Sequence, residues 1–140
     1  MKNLKFTILA VAVAAMVAGC CPCRKLKMRQ EAKDMVDIEW KMIQYRGKSF
    51  TGKEGYTITF GAEKIFTGKG DCNRIKGEYI VNDDGTLKIE LPPASTRMMC
   101  PDQAMENEFF KMIQSLESWQ MDGSLLMLFA HGELVAVFNH

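Results

Sequence analysis

Turns recur so often between residues 40 and 138 that the chain has room only for short strands and one longer element. Glycine-containing turn signals interrupt the apolar runs at Arg46-Gly47, Gly68–Gly70, Asn82–Gly85, Asp122-Gly123 and His131-Gly132. Short runs with dense turn signals between them are typical of antiparallel sheets. We therefore predict a mainly β fold of the α+β class.

Alternating apolar and polar residues predict where the strands lie. Tyr56, Ile58 and Phe60 alternate with threonines, so they should share one buried face. Other strands are predicted at residues 40–45, 65–67, 75–81, 87–91, 118–121, 124–129 and 134–138. Residues 125–129 are apolar almost throughout, which suggests a strand covered on both faces. We expect about seven or eight antiparallel strands, curled into a sandwich or partly open barrel.

Residues 101–116 have the periodicity of a helix. The apolar positions recur at the spacing of one helix face, at Met105, Phe109, Met112, Ile113 and Leu116. Glu106 and Glu108 are predicted to belong mostly to the polar remainder of this helix. Pro101 and Asp102 suit its first turn. We predict this single α-helix, packed across an opening of the sheet.

The N-terminus has the features of an export signal. Lys2 and Lys5 precede an uncharged apolar run at residues 6–17, which is short for a membrane-spanning helix. Val17-Ala18-Gly19-Cys20 resembles the bacterial lipobox, in which the cysteine receives a diacylglycerol. We therefore expect a mature chain that begins at Cys20 and is anchored by acyl chains. The alternatives are an uncleaved signal anchor, or a cleaved signal that leaves Cys20 free.

These features divide the chain into a signal peptide at 1–19, a basic tether at 20–36 and one domain at 37–140. Residues 20–33 hold five basic residues and one acid, for a net charge of +4. This stretch is predicted to be a solvated spacer that is drawn towards anionic headgroups. Cys21 and Cys23 are interpreted as bystanders in the tether, with extra acylation or a disulfide to a second chain as alternatives.

The domain lacks the composition for nucleic-acid binding and for several kinds of catalysis. Residues 34–140 carry 11 basic and 16 acidic residues, which disfavours contact with phosphate backbones. The two histidines cannot supply a His-based triad or a His-rich metal site. The sequence also lacks G-x-S-x-G, Walker and H-E-x-x-H motifs. We predict no catalytic residue, no metal and no cofactor.

Two blocks carry a resemblance to a known family. They are Asp71-Cys72-Asn73-Arg74-Ile75-Lys76-Gly77-Glu78-Tyr79 and Ala94-Ser95-Thr96-Arg97-Met98-Met99-Cys100-Pro101-Asp102-Gln103-Ala104-Met105-Glu106. The first resembles the G-C-N-x-x-x-G-x-Y pattern of the META domain (HslJ-like) family, and the second its T-x-M-x-C-P-x-x-x-M-E pattern. Trp40 also agrees, whereas Asp71 stands where the family commonly has glycine.

The resemblance covers about residues 37–140. It implies a β-rich domain with a helix, found in secreted or lipid-anchored bacterial proteins and linked to heat shock and stress tolerance. It implies no established chemistry.

Cys72 and Cys100 lie one in each block of a domain that we expect to be exported. An oxidising compartment lets disulfides persist, so we predict a Cys72–Cys100 disulfide. Two buried apolar thiols are the alternative. A sharper alternative is a redox or copper role with Met98, Met99 and Cys100 as soft ligands, although methionine usually fills gaps in cores.

Four polar residues flank these cysteines. Asn73 and Arg74 follow a glycine-containing turn, and Thr96 and Arg97 precede the predicted helix. They could line a pocket for an anion or another ligand. We favour the alternative that Asn73 and Thr96 bind turn backbone, as such side chains commonly do.

The sequence favours a noncatalytic, lipid-anchored envelope protein that is associated with stress and binds a protein, a peptide or a lipid-like ligand. The alternatives are an enzyme acting on cell wall or outer-membrane lipid, and a purely structural protein. Position 21 is not aspartate, which by the enterobacterial sorting rule favours the outer membrane. The expected partners are the membrane, through the lipid anchor, and an unidentified protein or small ligand.

Overall fold

The computed structural model describes residues 21–50 and 55–140. These residues form two helices and ten strands. In chain order the elements are α1 Cys21–Asp34, β1 Glu39–Tyr45, β2 Lys48–Ser49, β3 Thr57–Phe60, β4 Ile65–Lys69, β5 Arg74–Val81, β6 Leu87–Ile89, β7 Ala94–Ser95, α2 Gln103–Gln114, β8 Ser118–Asp122, β9 Leu125–Ala130 and β10 Glu133–Asn139.

All ten strands pair in antiparallel fashion and form a nearly closed barrel. The strand order is β6-β5-β4-β3-β1-β10-β9-β8, with β2 added beside β1 and β7 beside β5. The two outer strands meet where Leu87 N–H donates to Glu117 O at 2.9 Å and Trp119 N–H donates to Gly85 O at 2.9 Å. The predicted mainly β, barrel-like class is confirmed.

The barrel interior is a single apolar core. Ile58 and Phe60 of β3 are buried, and so is Tyr56 just before the strand, as their alternation predicted. Trp40 of β1 and Trp119 of β8 are also fully buried. Each large aromatic side chain buries much apolar area, so several of them in one core stabilise a small barrel strongly.

Helix α2 packs across one end of the barrel, as predicted. Phe109, Met112 and Ile113 are buried, and the Phe109 ring meets the edge of Tyr56 with 5.2 Å between centroids. Asp102 is the N-cap, and its carboxylate accepts from Met105 N–H at 3.3 Å.

Helix α1 corrects the prediction of a single helix. Residues 21–34 are helical where the sequence predicted a spacer. Met28 and Ala32 pack against the core and the following Met35 is fully buried, so tertiary contacts support this helix. Strong apolar periodicity is absent because most of its other residues are charged.

Two further predictions were wrong in detail. The structure has more strands than expected because β2 and β7 are two-residue strands, too short to leave a pattern. Residues 125–129 are not covered on both faces, because burial alternates along β9 and the second face is half-exposed. Within residues 21–50 and 55–140, no helix combines the length and apolar character needed to span a bilayer.

Candidate functional site

A disulfide joins the two blocks that carry the family resemblance. Cys72, in the loop before β5, is bonded to Cys100, just before α2, with 5.7 Å between their Cα atoms. The predicted disulfide is therefore confirmed. Its sulfurs lie near Glu106 and could form a metal-binding group with it only after reduction, because the thiolate is the metal ligand.

Met98 and Met99 do not join Cys100 in a soft-ligand set. Their side chains are 58% and 99% exposed, and the Cys100 sulfur is committed to the disulfide. The arrangement gives no support to the copper alternative.

Glu106 is the centre of the site, although the periodicity of α2 assigned it mostly to the polar side. It is only 1% exposed and lies in the first turn of α2. Its Oε1 accepts from Cys72 N–H at 3.0 Å and from Asn73 N–H at 2.7 Å. Its Oε2 accepts from Asn73 Nδ2 at 2.7 Å and from Gln103 Nε2 at 3.4 Å. This carboxylate therefore ties α2 to the loop before β5.

The surroundings of Glu106 keep it ionised. Burial raises its pKa, but hydrogen bonds from the side chain and backbone of Asn73, from Cys72 N–H and from Gln103 outweigh burial, so the pKa lies below its ordinary value. Among the described residues, no lysine or arginine forms an ion pair with it. Within this part of the chain, the donors that stabilise the buried charge are neutral.

The negative charge of this region also acts on a neighbouring phenol. Burial, followed by the charges of Asp102, Asp71 and Glu106, raises the pKa of Tyr56 to about 12. The barrel end under α2 therefore disfavours a further negative charge.

Asn73 is a second buried hub, with 1% exposure. Its Nδ2 donates to Met98 O at 2.8 Å, and its Oδ1 accepts from Met98 N–H at 2.7 Å and from Thr96 Oγ1 at 2.9 Å. Thr96 Oγ1 in turn accepts from Arg74 N–H at 3.0 Å. One asparagine thus fixes both the N–H and the C=O of Met98.

Gly70 makes room for this arrangement. A Cβ at this position would lie 2.7 Å from both Cγ and Oε1 of Glu106. Any side chain there would displace the carboxylate from its donors, so the close approach requires glycine.

A groove of about 580 Å³ runs between the segment before α2 and the outer face of α2. Phe110 and the disulfide contribute apolar lining, and Arg97 and Lys111 contribute positive charge. Amide side chains stand along the helix side of the groove, at Gln103, Asn107 and Gln114. We call this feature the α2 groove.

The structure brings together three of the four polar residues singled out from the sequence. Asn73, Thr96 and Arg97 line the α2 groove, whereas Arg74 is exposed on β5 and does not. Asn73 and Thr96 also form hydrogen bonds with backbone groups. The same two side chains therefore bind turn backbone and line the groove. Cys20 lies outside the described residues.

Sequence reasoning missed the roles of Glu106 and Gly70. A helical wheel treats glutamate as a surface residue, so periodicity could not identify a buried one. The available signal was that Glu106 ends the second family-like block, as Asn73 lies in the first.

Comparison with solved structures shows the same fold. The chain is similar to a DUF4847 family protein from Bacteroides vulgatus ATCC 8482, with TM-score 0.58, 20% identity, and coverage of 79% of this chain and 96% of that one. An NMR structure of a protein from Burkholderia xenovorans gives TM-score 0.59, 19% identity, and coverage of 79% and 86%. Another NMR structure gives TM-score 0.60, 21% identity, and coverage of 76% and 92%.

Comparison with curated protein sequences gives no match. The family model described as the META domain matches residues 33–140, a span that contains both sequence blocks, all ten strands and α2. This chain therefore belongs to the META domain family.

Proposed function

We propose that this protein is a noncatalytic, stress-associated lipoprotein of the cell envelope, and that its α2 groove binds an exposed segment of another protein. The observation that carries the proposal is Met99, which is 99% exposed beside a backbone that is fixed on both sides. Asn73 binds both backbone groups of Met98, and Cys100 is held by the disulfide.

A rigid loop with exposed apolar side chains is suited to binding. Met98 and Met99 expose apolar surface at the edge of the groove, and an ordered loop loses little conformational freedom when a partner docks. Methionine also adapts its shape to varied apolar partners.

The lining favours a polypeptide over an acyl chain. Gln103, Asn107 and Gln114 offer amide donors and acceptors that suit a peptide backbone, and these interrupt the apolar surface that an acyl chain needs. Arg97 and Lys111 add positive charge, so the segment bound should carry apolar and acidic side chains.

The α2 groove is poorly equipped for hydrolysis. Among the described residues, Glu106 is the single acidic one that lines the groove, and both of its carboxylate oxygens already accept hydrogen bonds. A carboxylate with a lowered pKa holds a proton poorly near neutral pH, so it is unsuited to act as a general acid. These features support the noncatalytic proposal over an enzyme of the cell wall or outer-membrane lipid.

The envelope location rests on the N-terminal sequence and on the disulfide. The run at residues 6–17 and the lipobox-like Val17–Cys20 support export and acylation at Cys20. A disulfide such as Cys72–Cys100 persists in an oxidising compartment. We propose the outer membrane, facing the periplasm.

The anchor is tested with Cys20→Ala in the native bacterium. The unmodified protein should incorporate labelled palmitate and remain with the membranes, whereas the variant should do neither. Palmitate labelling of the variant would exclude Cys20 as the lipidation site.

The groove is tested by photocrosslinking in living cells. A benzophenone amino acid at position 99 should give a discrete adduct with one protein, and the adduct should increase after heat or antibiotic stress. The same probe at Ile80, an exposed apolar residue of β5 outside the α2 groove, is the matched control.

Charge reversal sharpens this test. Arg97→Glu with Lys111→Glu should weaken the adduct at position 99, whereas Lys76→Glu with Lys88→Glu, which makes the same charge change elsewhere, should not. Equal adducts from positions 99 and 80, or insensitivity to both pairs, would contradict the proposal.

A further inference from the structure

We infer that α1 lies on an anionic bilayer surface and holds the barrel so that the α2 groove faces away from the membrane. This inference rests on the lipid anchor of the proposed function. It goes beyond anchoring, because an anchor through a flexible spacer would leave the domain free to turn in any direction.

Helix α1 is packed on the barrel. Met28 and Ala32 contact the core, and the Met28 methyl lies 3.1 Å from the position of a Cβ on Gly85. Trp40 Nε1 donates to Met35 O at 2.9 Å directly after the helix. The helix therefore belongs to the domain, and it begins at the residue next to Cys20.

The outward side of α1 combines an exposed apolar residue with basic residues. Cys21–Asp34 contains five basic residues against Glu31 and Asp34. Helical spacing puts Leu26 and Lys33 on the side opposite to Met28 and Arg29 at the edge of that side; all three are exposed, and Leu26 is 66% exposed. An apolar side chain among cations matches the boundary between anionic headgroups and acyl chains.

Helix α1 and the α2 groove contact different ends of the strands. The segment after α1 pairs with the end of β3 through Val36 and Phe60, and Met28 approaches the β5–β6 turn at Gly85. The groove end contains Tyr56, before the start of β3, and the loop after β4 at Gly70. The two sites therefore lie at opposite ends of the barrel.

The two ends then have different surroundings. Helix α1 begins at Cys21, directly after Cys20 in the sequence, and its fourteen residues span only about 21 Å. Acyl chains on Cys20 would therefore keep the helix at the bilayer. Contact with the headgroups at this end leaves the α2 groove open to the aqueous side, where a protein segment can reach it.

The test uses the full lipidated protein, reconstituted in vesicles of phosphatidylethanolamine and phosphatidylglycerol. A dansyl amino acid replaces Leu26, and the matched control replaces Leu134, which is exposed at the start of β10. That strand pairs with Tyr45, whose hydroxyl donates to Glu108 of α2. Emission from position 26 should shift to the blue and be quenched by brominated lipids. Emission from position 134 in the vesicles should keep the wavelength and intensity that it has in detergent-free buffer without lipids.

Charge variants and a second lipid complete the design. Arg29→Glu with Lys33→Glu should abolish the shift at position 26, as should phosphatidylcholine vesicles or high salt. Lys76→Glu with Lys88→Glu should leave the shift intact, which controls for total charge.

Flotation of the vesicles separates the possible failures. Protein that does not float overturns the lipid anchor of the proposed function and this inference with it. Protein that floats while position 26 stays in water, or while position 134 is quenched as strongly, overturns this inference alone. An equal shift in phosphatidylcholine overturns the role assigned to the basic residues.

Discussion

The two ends of the barrel are closed by helices that are held in different ways. At the groove end, α2 is tied to the loop before β5 by Glu106, Asn73 and the Cys72–Cys100 disulfide. At the other end, α1 is held mainly by apolar contacts of Met28 and its neighbours. Directional hydrogen bonds fix one geometry, whereas apolar contacts tolerate small shifts. The groove end is thus specified more sharply than the α1 end.

The largest expected effect comes from removing the buried carboxylate. Glu106→Leu leaves the N–H groups of Cys72 and Asn73 buried without an acceptor, so the free energy of unfolding should fall by about 3 to 5 kcal/mol. Urea unfolding followed by tryptophan fluorescence measures this change. Glu108→Leu, at an exposed position of the same helix, should change it by less than about 0.5 kcal/mol. Similar losses in the two variants would contradict the central role of Glu106.

The disulfide is the second means of strengthening the groove end. Cys72→Ala with Cys100→Ala should lower the free energy of unfolding by about 3 kcal/mol, since a bridge across a separation of 28 residues restricts the unfolded chain. Thermal unfolding with and without a reducing agent should give the same difference. Cys23→Ala, which alters an exposed free cysteine of α1, is the control and should have no effect.

Acid should weaken the groove end through Glu106. Its pKa is lower in the folded protein than the ordinary 4.5, so its contribution is fully present above that value and is lost as pH falls through the folded pKa. Glu106→Gln should therefore flatten the fall of stability in acid below about pH 4.5, whereas Glu108→Gln should not. Urea unfolding at a series of pH values checks this, and parallel curves for all three proteins would contradict it.

The smallest effect is expected at the α1 end. Met28→Ala removes a half-buried side chain, so the free energy of unfolding should fall by about 1 kcal/mol, less than for a fully buried methionine. Hydrogen exchange should show faster exchange in α1 and unchanged exchange in α2. Faster exchange in both helices would show that the two ends are coupled, contrary to this prediction.

The sheet could be predicted because its signals are local. Alternation at Tyr56, Ile58 and Phe60 and the Asp122-Gly123 turn depend on neighbouring residues only. The disulfide could be predicted because Cys72 and Cys100 each lie in a recognisable block. Helix α1 could not be predicted, because it is supported by contacts of Met28 and Ala32 with distant parts of the chain.

The centre of the site could not be predicted from periodicity either. Glu106 is stable in the core because donors from residues 72 and 73, far away in sequence, converge on it. Glu106 fits there because Gly70 has no side chain. In the sequence, that glycine indicates only a turn. Long-range polar complementarity of this kind becomes visible only when the loops are placed.

The hydrogen bonds between the β6 and β8 regions reduce the tendency of the sheet to pair with strands of other molecules. Bonds from Leu87 to Glu117 and from Trp119 to Gly85 occupy backbone groups that an open sheet would expose. A closed seam gives foreign strands little to pair with, so it disfavours edge-to-edge aggregation. At this seam, a partner would therefore recognise side chains rather than add a strand.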